Sequence, residues 1–125
     1  MKKILSVLMA AALCASMAAC SSSDNSSSVA ENGNIQIDTL RVAFVPSREP
    51  DEIITATEPL KEMLKTELAK EGYDVGNVEI TVGTSYEAVG ESLSAGTADV
   101  GLIPGGTYVL YDDGAEVILT ATRDG

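Results

Sequence analysis

Four short apolar runs, at residues 40–45, 78–82, 99–103 and 117–121, recur along the chain with amphipathic stretches between them, and this rhythm is the strongest constraint on its fold. Residues 40–45 (LRVAFV) end at Pro46, as expected of a strand buried on both faces. Residues 46–50 hold two prolines. These remove two backbone donors and bias their neighbours away from helix, so the segment is a loop. Ile53, Ile54, Leu60, Met63, Leu64 and Leu68 then recur mostly at three-and-four spacing, which predicts a helix over 51–71 with Gly72 as its stop. Pro59 leaves two readings open: a fresh helix capped by Thr57, or a kink in a longer one. Asp51, Glu52 and Glu58 come early and Lys61, Lys65 and Lys70 late, the order that suits the helix dipole.

Residues 78–82 (VEITV) alternate and end at Gly83, which predicts a second strand. Thr84, Ser85, Tyr86 and Glu87 fit the T-x-x-E capping box, so a helix is expected from there to Ala95, with Gly96 as its stop. Residues 99–103 read as a third strand. Pro104, Gly105, Gly106 and Thr107 turn the chain into a short helix through Tyr111, which Gly114 closes. Residues 117–121 (VILTA) are expected to form a fourth strand. Strand-helix units repeating in this way imply parallel strands with right-handed crossovers, so the fold class is α/β.

Composition narrows the function. The 125 residues include 19 acidic and 8 basic side chains, for a net charge of −11, with no His, no Trp and only two Cys. That length allows one small domain. The acidic surface repels phosphate backbones and anionic headgroups, which disfavours nucleic-acid binding and a polybasic membrane patch. With no His, and Cys only at positions 14 and 20, a Cys/His zinc site, a Ser-His-Asp triad and a disulfide-stapled scaffold all lack their parts. No catalytic residue, metal or cofactor is expected.

The N-terminus carries Lys2 and Lys3, then an apolar run over 4–19 broken only by Ser6 and Ser16, then Met17, Ala18, Ala19 and Cys20. The run is shorter than the roughly 20 residues of a spanning helix and reads as an export signal. Its last four residues resemble the bacterial lipobox, in which the cysteine is lipidated and becomes the new N-terminus. The alternative is a plain signal peptide cleaved after Ala19. That would leave Cys20 as a free thiol, a reactive liability that lipidation removes. Residues 21–38 are Ser-rich with little to bury, so they are expected to form a flexible tether.

In an open parallel sheet, ligands bind where the strands end and helices begin. Those ends are the 46–49 loop, the 83–86 turn and the 104–107 turn. All three carry hydroxyls or glycines, so backbone N–H and side-chain O–H groups could surround one oxyanion with dipoles alone. Each also has a purely structural reading: Thr84 or Ser85 as an N-cap, Gly105 and Gly106 as a turn, Tyr108 and Tyr111 as packing. Their convergence on one edge is the stronger signal.

Residues 40–47 (LRVAFVPS), 81–89 (TVGTSYEAV) and 93–108 (LSAGTADVGLIPGGTY) resemble the solute-binding proteins of phosphate/phosphite/phosphonate ABC transporters, particularly the lipoproteins of Gram-positive bacteria. The resemblance extends over 39–125. It implies a type II periplasmic-binding-protein-like fold, in which two α/β lobes close on an oxyanion held by Ser/Thr hydroxyls, backbone amides and Tyr side chains. Carried over, it makes Ser47, Tyr86, Gly105, Gly106 and Thr107 the ligand-binding residues and Cys20 the lipid attachment site. Arg48 stays open between the pocket mouth and a solvated surface role. The implied protein is not an enzyme. Its partners are a small oxyanion, an ABC permease and, through the lipid anchor, the outer face of the cytoplasmic membrane. The chain is shorter than a complete two-lobed binder, so 39–125 is expected to be the N-terminal part of a truncated first lobe. Two alternatives are a nucleotide- or flavin-binding α/β domain and a small surface lipoprotein that mediates contacts. Against the first, neither G-x-G-x-x-G nor G-x-x-x-x-G-K-[ST] occurs.

Overall fold

A computed structural model describes residues 28–29 and 33–122. The expected signal segment, its lipobox and residues 21–27 of the tether lie outside the described residues. The elements are β1 (Ser28–Val29), β2 (Ile35–Phe44), α1 (Pro50–Lys70), β3 (Tyr73–Val82), α2 (Tyr86–Ser94), β4 (Val100–Leu102) and α3 (Gly105–Tyr108). The class is α/β, as expected.

β2 is the centre of the sheet. β3 lies parallel to it along its whole length, from Ile35 opposite Tyr73 to Phe44 opposite Val82. β4 is parallel to its last three residues, from Val42 opposite Val100 to Phe44 opposite Leu102. β1 pairs antiparallel with its start. Because β3 takes one edge throughout, β1 and β4 share the other. The parallel order is therefore β3-β2-β4, and the chain changes direction across β2. Such a reversal opens a crevice at the carboxyl ends of the strands.

Successive residues of a strand face opposite sides, and β2 shows it. Val42 joins Val75 and Val78 under Leu64 and Leu68 of α1. Its neighbour Ala43 joins Val45, Val89 and Ala98 with Leu93 of α2. The two helices thus cover opposite faces, and Val89, 1% exposed, is the most deeply buried of these side chains.

Two features depart from the sequence expectation, and one open choice is decided. β2 starts at Ile35 rather than Leu40, so residues 35–38, expected to end the tether, lie in the sheet, as do Ser28 and Val29 of the same expected tether, which pair with Gln36 and Ile35. Ile35, Gln36 and Ile37 find ladder partners in Tyr73, Asp74 and Val75, and the Gln36 amide donates to the Asp74 carboxylate at 2.9 Å. β3 is correspondingly longer than 78–82. Of the two readings of Pro59, the longer helix holds: α1 is one element with Pro59 inside it, and the Thr57 hydroxyl donates to the Ile53 carbonyl at 2.7 Å instead of capping a fresh helix. The fourth strand expected at 117–121 is absent. Residues 115–120 are unpaired, with Ile118 82% and Leu119 87% exposed. Their composition favours extended backbone, but a strand also needs a neighbouring ladder, and none among the described residues reaches them.

β4 is only three residues long, and one side-chain pair fixes where it lies. The Arg41 guanidinium on β2 donates to both carboxylate oxygens of Asp99, at 2.6 and 3.0 Å, and the Arg41 amide donates to the same carboxylate at 2.8 Å. In return the Asp99 amide donates to the Arg41 carbonyl at 2.9 Å. Burial acts to raise the Asp99 pKa, but the hydrogen bonds and charge of Arg41 outweigh it and hold the carboxyl below its ordinary value.

A depressed folded pKa contributes stability above the ordinary value of about 3.8 and loses it as the pH falls through the folded value. Asp99→Asn is therefore expected to lower the unfolding midpoint at pH 7. The gap from wild type should close as the pH drops below about 3.8. Thermal unfolding across pH 2.5–7 measures it. Equal midpoints at neutral pH, or a gap that persists undiminished in acid, would contradict the role given to this pair.

Candidate functional site

Two backbone hydrogen bonds bring the three strand exits side by side. The Gly83 amide, just past β3, donates to the Phe44 carbonyl at 2.9 Å. The Val45 amide, just past β2, donates to the Leu102 carbonyl at 3.4 Å. The loops that follow carry the residues expected to hold a ligand.

Ser47 is exposed, and its amide turns back onto the Val45 carbonyl at 2.8 Å. Tyr86 opens α2 and is 38% exposed. Gly105 and Gly106 open α3, and Thr107 follows, half-buried, with its amide committed to the Pro104 carbonyl at 3.0 Å. The Tyr108 amide goes to the same carbonyl, so the turn uses the third and fourth α3 amides but not those of Gly105 and Gly106.

The capping residue of α2 is Ser85, one position later than the T-x-x-E pattern suggests. Its hydroxyl accepts from the Ala88 amide at 3.1 Å. Glu87 therefore sits one position too early to close a capping box. Its carboxylate takes hydrogen bonds from its own amide and from the Ser85 hydroxyl, which hold its pKa below the ordinary value. Ser85 thus belongs to the fold.

Of the remaining hydroxyls, those of Thr57, Thr66, Ser92 and Thr97 donate to backbone carbonyls. Those of Ser47, Tyr86 and Thr107 have no partner among the described residues, nor have several others, among them Thr39, Thr81, Thr84 and Ser94; the three are set apart by their place at the strand ends. The glycines differ from one another as well. At Gly90 in α2 a Cβ would run into the ring of Tyr111, so glycine there lets the segment after α3 pack directly on α2. At Gly105 and Gly106 a Cβ would meet nothing within 4 Å, and neither has a positive φ. Packing and backbone conformation do not require glycine at those two positions.

Tyr111 takes the packing role that was one reading of it. Burial raises the pKa of its hydroxyl, with a further contribution from the charges of Glu91 and Glu87. A groove of about 620 Å³ lies between α2, β4 and residues 114–121, and it reaches Pro104 and Gly105 at the start of α3 and Tyr108 at its end. Leu93, Ile103, Val117 and Ile118 are among its lining residues, and it takes in Gly105 but not Ser47, Tyr86, Gly106 or Thr107. The five expected ligand residues thus share a sheet edge but no single cavity. Among the described residues no group of His, Cys, Asp or Glu could hold a metal ion.

Sequence reasoning missed the Arg41–Asp99 pair. Its signal was present: an Arg inside an otherwise apolar strand, and an Asp immediately ahead of another.

Residues 42–125 match the family model for the periplasmic substrate-binding protein of the phosphonate ABC transporter. Neither a curated protein nor a solved structure matches the chain.

Proposed function

The chain belongs to the family of periplasmic substrate-binding proteins of phosphonate ABC transporters, and from that premise we propose that it captures phosphonate, phosphite or phosphate oxyanions at the carboxyl edge of its parallel sheet for delivery to an ABC permease. Membership of the family carries the extracytoplasmic location and the substrate-binding role. The finer reading is carried by one observation: the edge where β2, β3 and β4 end holds the unpartnered hydroxyls of Ser47, Tyr86 and Thr107 beside the unhindered Gly105 and Gly106.

An oxyanion carries several acceptor oxygens and no need for a bulky apolar wall. Hydroxyl and amide dipoles bind it without placing a full positive charge in the site. Glycine at 105 and 106 lets an anion approach the backbone amides closely, which a Cβ would hinder. The apolar groove offers the opposite chemistry and is not assigned to the ligand. Binding of this kind breaks no covalent bond in the ligand, so the chain acts as a carrier and not as an enzyme.

Cys20 lies outside the described residues, and its lipidation is part of the proposal. The motive is the order of two lysines, an apolar run and Met17-Ala18-Ala19-Cys20. Acyl chains contribute about 0.8 kcal/mol per buried CH₂, so two or more dominate over any contact an acidic domain makes with a membrane surface. Cys20→Ala is expected to move the protein from the membrane fraction to the soluble one. Sedimentation of the variant with membranes as in wild type would refute the anchor.

For the ligand site, Tyr86→Phe and Thr107→Val in the full-length protein each remove one hydroxyl while keeping shape. A hydrogen bond to a charged group is worth about 1.5–3 kcal/mol, so each variant is expected to lose roughly ten- to a hundredfold in affinity with folding almost unchanged. Calorimetric titration with methylphosphonate, phosphite and phosphate measures this. Unchanged affinity for all three in both variants would remove these residues from the site.

A further inference from the structure

Cations are scarce on this chain, and the structure commits nearly all of those it describes. Arg41 is tied to Asp99, and Lys61, Lys65 and Lys70 each lie within 4 Å of the carboxylate three residues earlier, Glu58, Glu62 and Glu67. Arg48 is the exception among the described residues. It is exposed, and it makes no ion pair although Glu49, Asp51 and Glu52 lie within four residues of it in sequence. It directly follows Ser47, in the loop that leaves the carboxyl end of β2.

We propose that Arg48 is the steering charge of the oxyanion site, a residue that sets how fast and how selectively an anion reaches the sheet edge. This rests on the oxyanion reading given above. A protein of net charge −11 repels an approaching dianion from every direction. Dipoles fall off steeply with distance, so the hydroxyls and amides of the edge act only once the ligand has arrived. An unpaired guanidinium at the rim attracts at longer range and offsets part of the negative field that Glu49, Asp51 and Glu52 set up around it. A paired cation does not, because its carboxylate cancels it beyond a few ångströms. The other four described cations therefore leave the field of the edge almost untouched. A charge at the rim changes the association rate and its salt dependence, whereas groups that enclose the bound ligand change its escape. Arg48 is accordingly a specificity residue for charge state: it favours the dianion over the monoanion of the same phosphonate.

The test is stopped-flow tyrosine fluorescence of the full-length protein mixed with methylphosphonate, at low salt and at 1 M salt. Arg48→Gln is compared with Lys61→Gln, which makes the same change in net charge at a paired site. At low salt Arg48→Gln is expected to slow association by roughly three- to tenfold with dissociation unchanged, and Arg48→Lys to restore the rate. Lys61→Gln should leave the rate near wild type. At 1 M salt, where the Debye length is about 3 Å, all variants should converge. Equal slowing by Arg48→Gln and Lys61→Gln would show that only net charge matters and would overturn the proposal. So would an unchanged rate in Arg48→Gln while wild type binds normally, and in either case the oxyanion reading itself would stand. A wild-type protein that binds none of methylphosphonate, phosphite and phosphate would overturn both.

Discussion

The bidentate contact between Arg41 and Asp99 determines where β4 lies, and the candidate site depends on that placement. β4 has three ladder positions against β2, too few to fix register by backbone pairing alone. A slip of one residue would turn every side chain on it to the wrong face. The guanidinium fork, the amide of Arg41 and the returning amide of Asp99 make four hydrogen bonds between two residues. As an ion pair this contact is ordinary: the side chains are 31% and 23% exposed, and solvent screens most of the attraction between partly exposed charges. Its consequence is geometric. With Asp99 held beside Arg41, Leu102 ends level with Phe44, and the turn at 104–107 leaves the sheet next to the loop that carries Ser47.

On the proposed reading, the same arrangement lets an acidic chain meet an anion with neutral donors. Glu49, Asp51, Glu52 and Glu87 lie at the starts of α1 and α2, next to the strand ends, while the lysines further along α1 pair locally. The donors that the same edge presents are neutral hydroxyls and amides. The two apolar clusters on either side of β2 hold α1 and α2 on opposite faces, and the ring of Tyr111 on Gly90 fixes the chain after α3 against α2. The donors of three separate loops are therefore carried on packed elements rather than on one mobile segment.

Much of this was legible in the amino-acid order, where local chemistry decides the outcome. Apolar runs bounded by Pro46 and Gly83, and the glycine stops at 72 and 96, follow from backbone preferences that act over a few residues; both stops have the positive φ expected of them. Strand length was not legible, because the start of β2, where Ile35 and Ile37 alternate with Gln36 and Asp38, becomes strand only when Tyr73, Asp74 and Val75 pair with it. Residues 117–121 show the converse, strong strand composition with no ladder to join. The cap of α2 fell one residue away because Thr84 and Ser85 offer the same hydroxyl, and helix geometry chose between them. At the site, the sequence indicated which turns meet at one edge. It could not separate Ser85, whose hydroxyl caps a helix, from Ser47, Tyr86 and Thr107, whose hydroxyls remain unbound.

On the proposed reading, an oxyanion binds where the three parallel strands end and not in the apolar groove beyond β4. Amide chemical-shift mapping of the ¹⁵N-labelled full-length protein during titration with methylphosphonate tests it most directly. Saturable shifts are expected at Ser47, Tyr86, Gly105, Gly106 and Thr107, with those of Ile118 and Leu119 left in place. Shifts confined to Leu93 and residues 117–120, or no saturable shifts at the sheet edge, would contradict it.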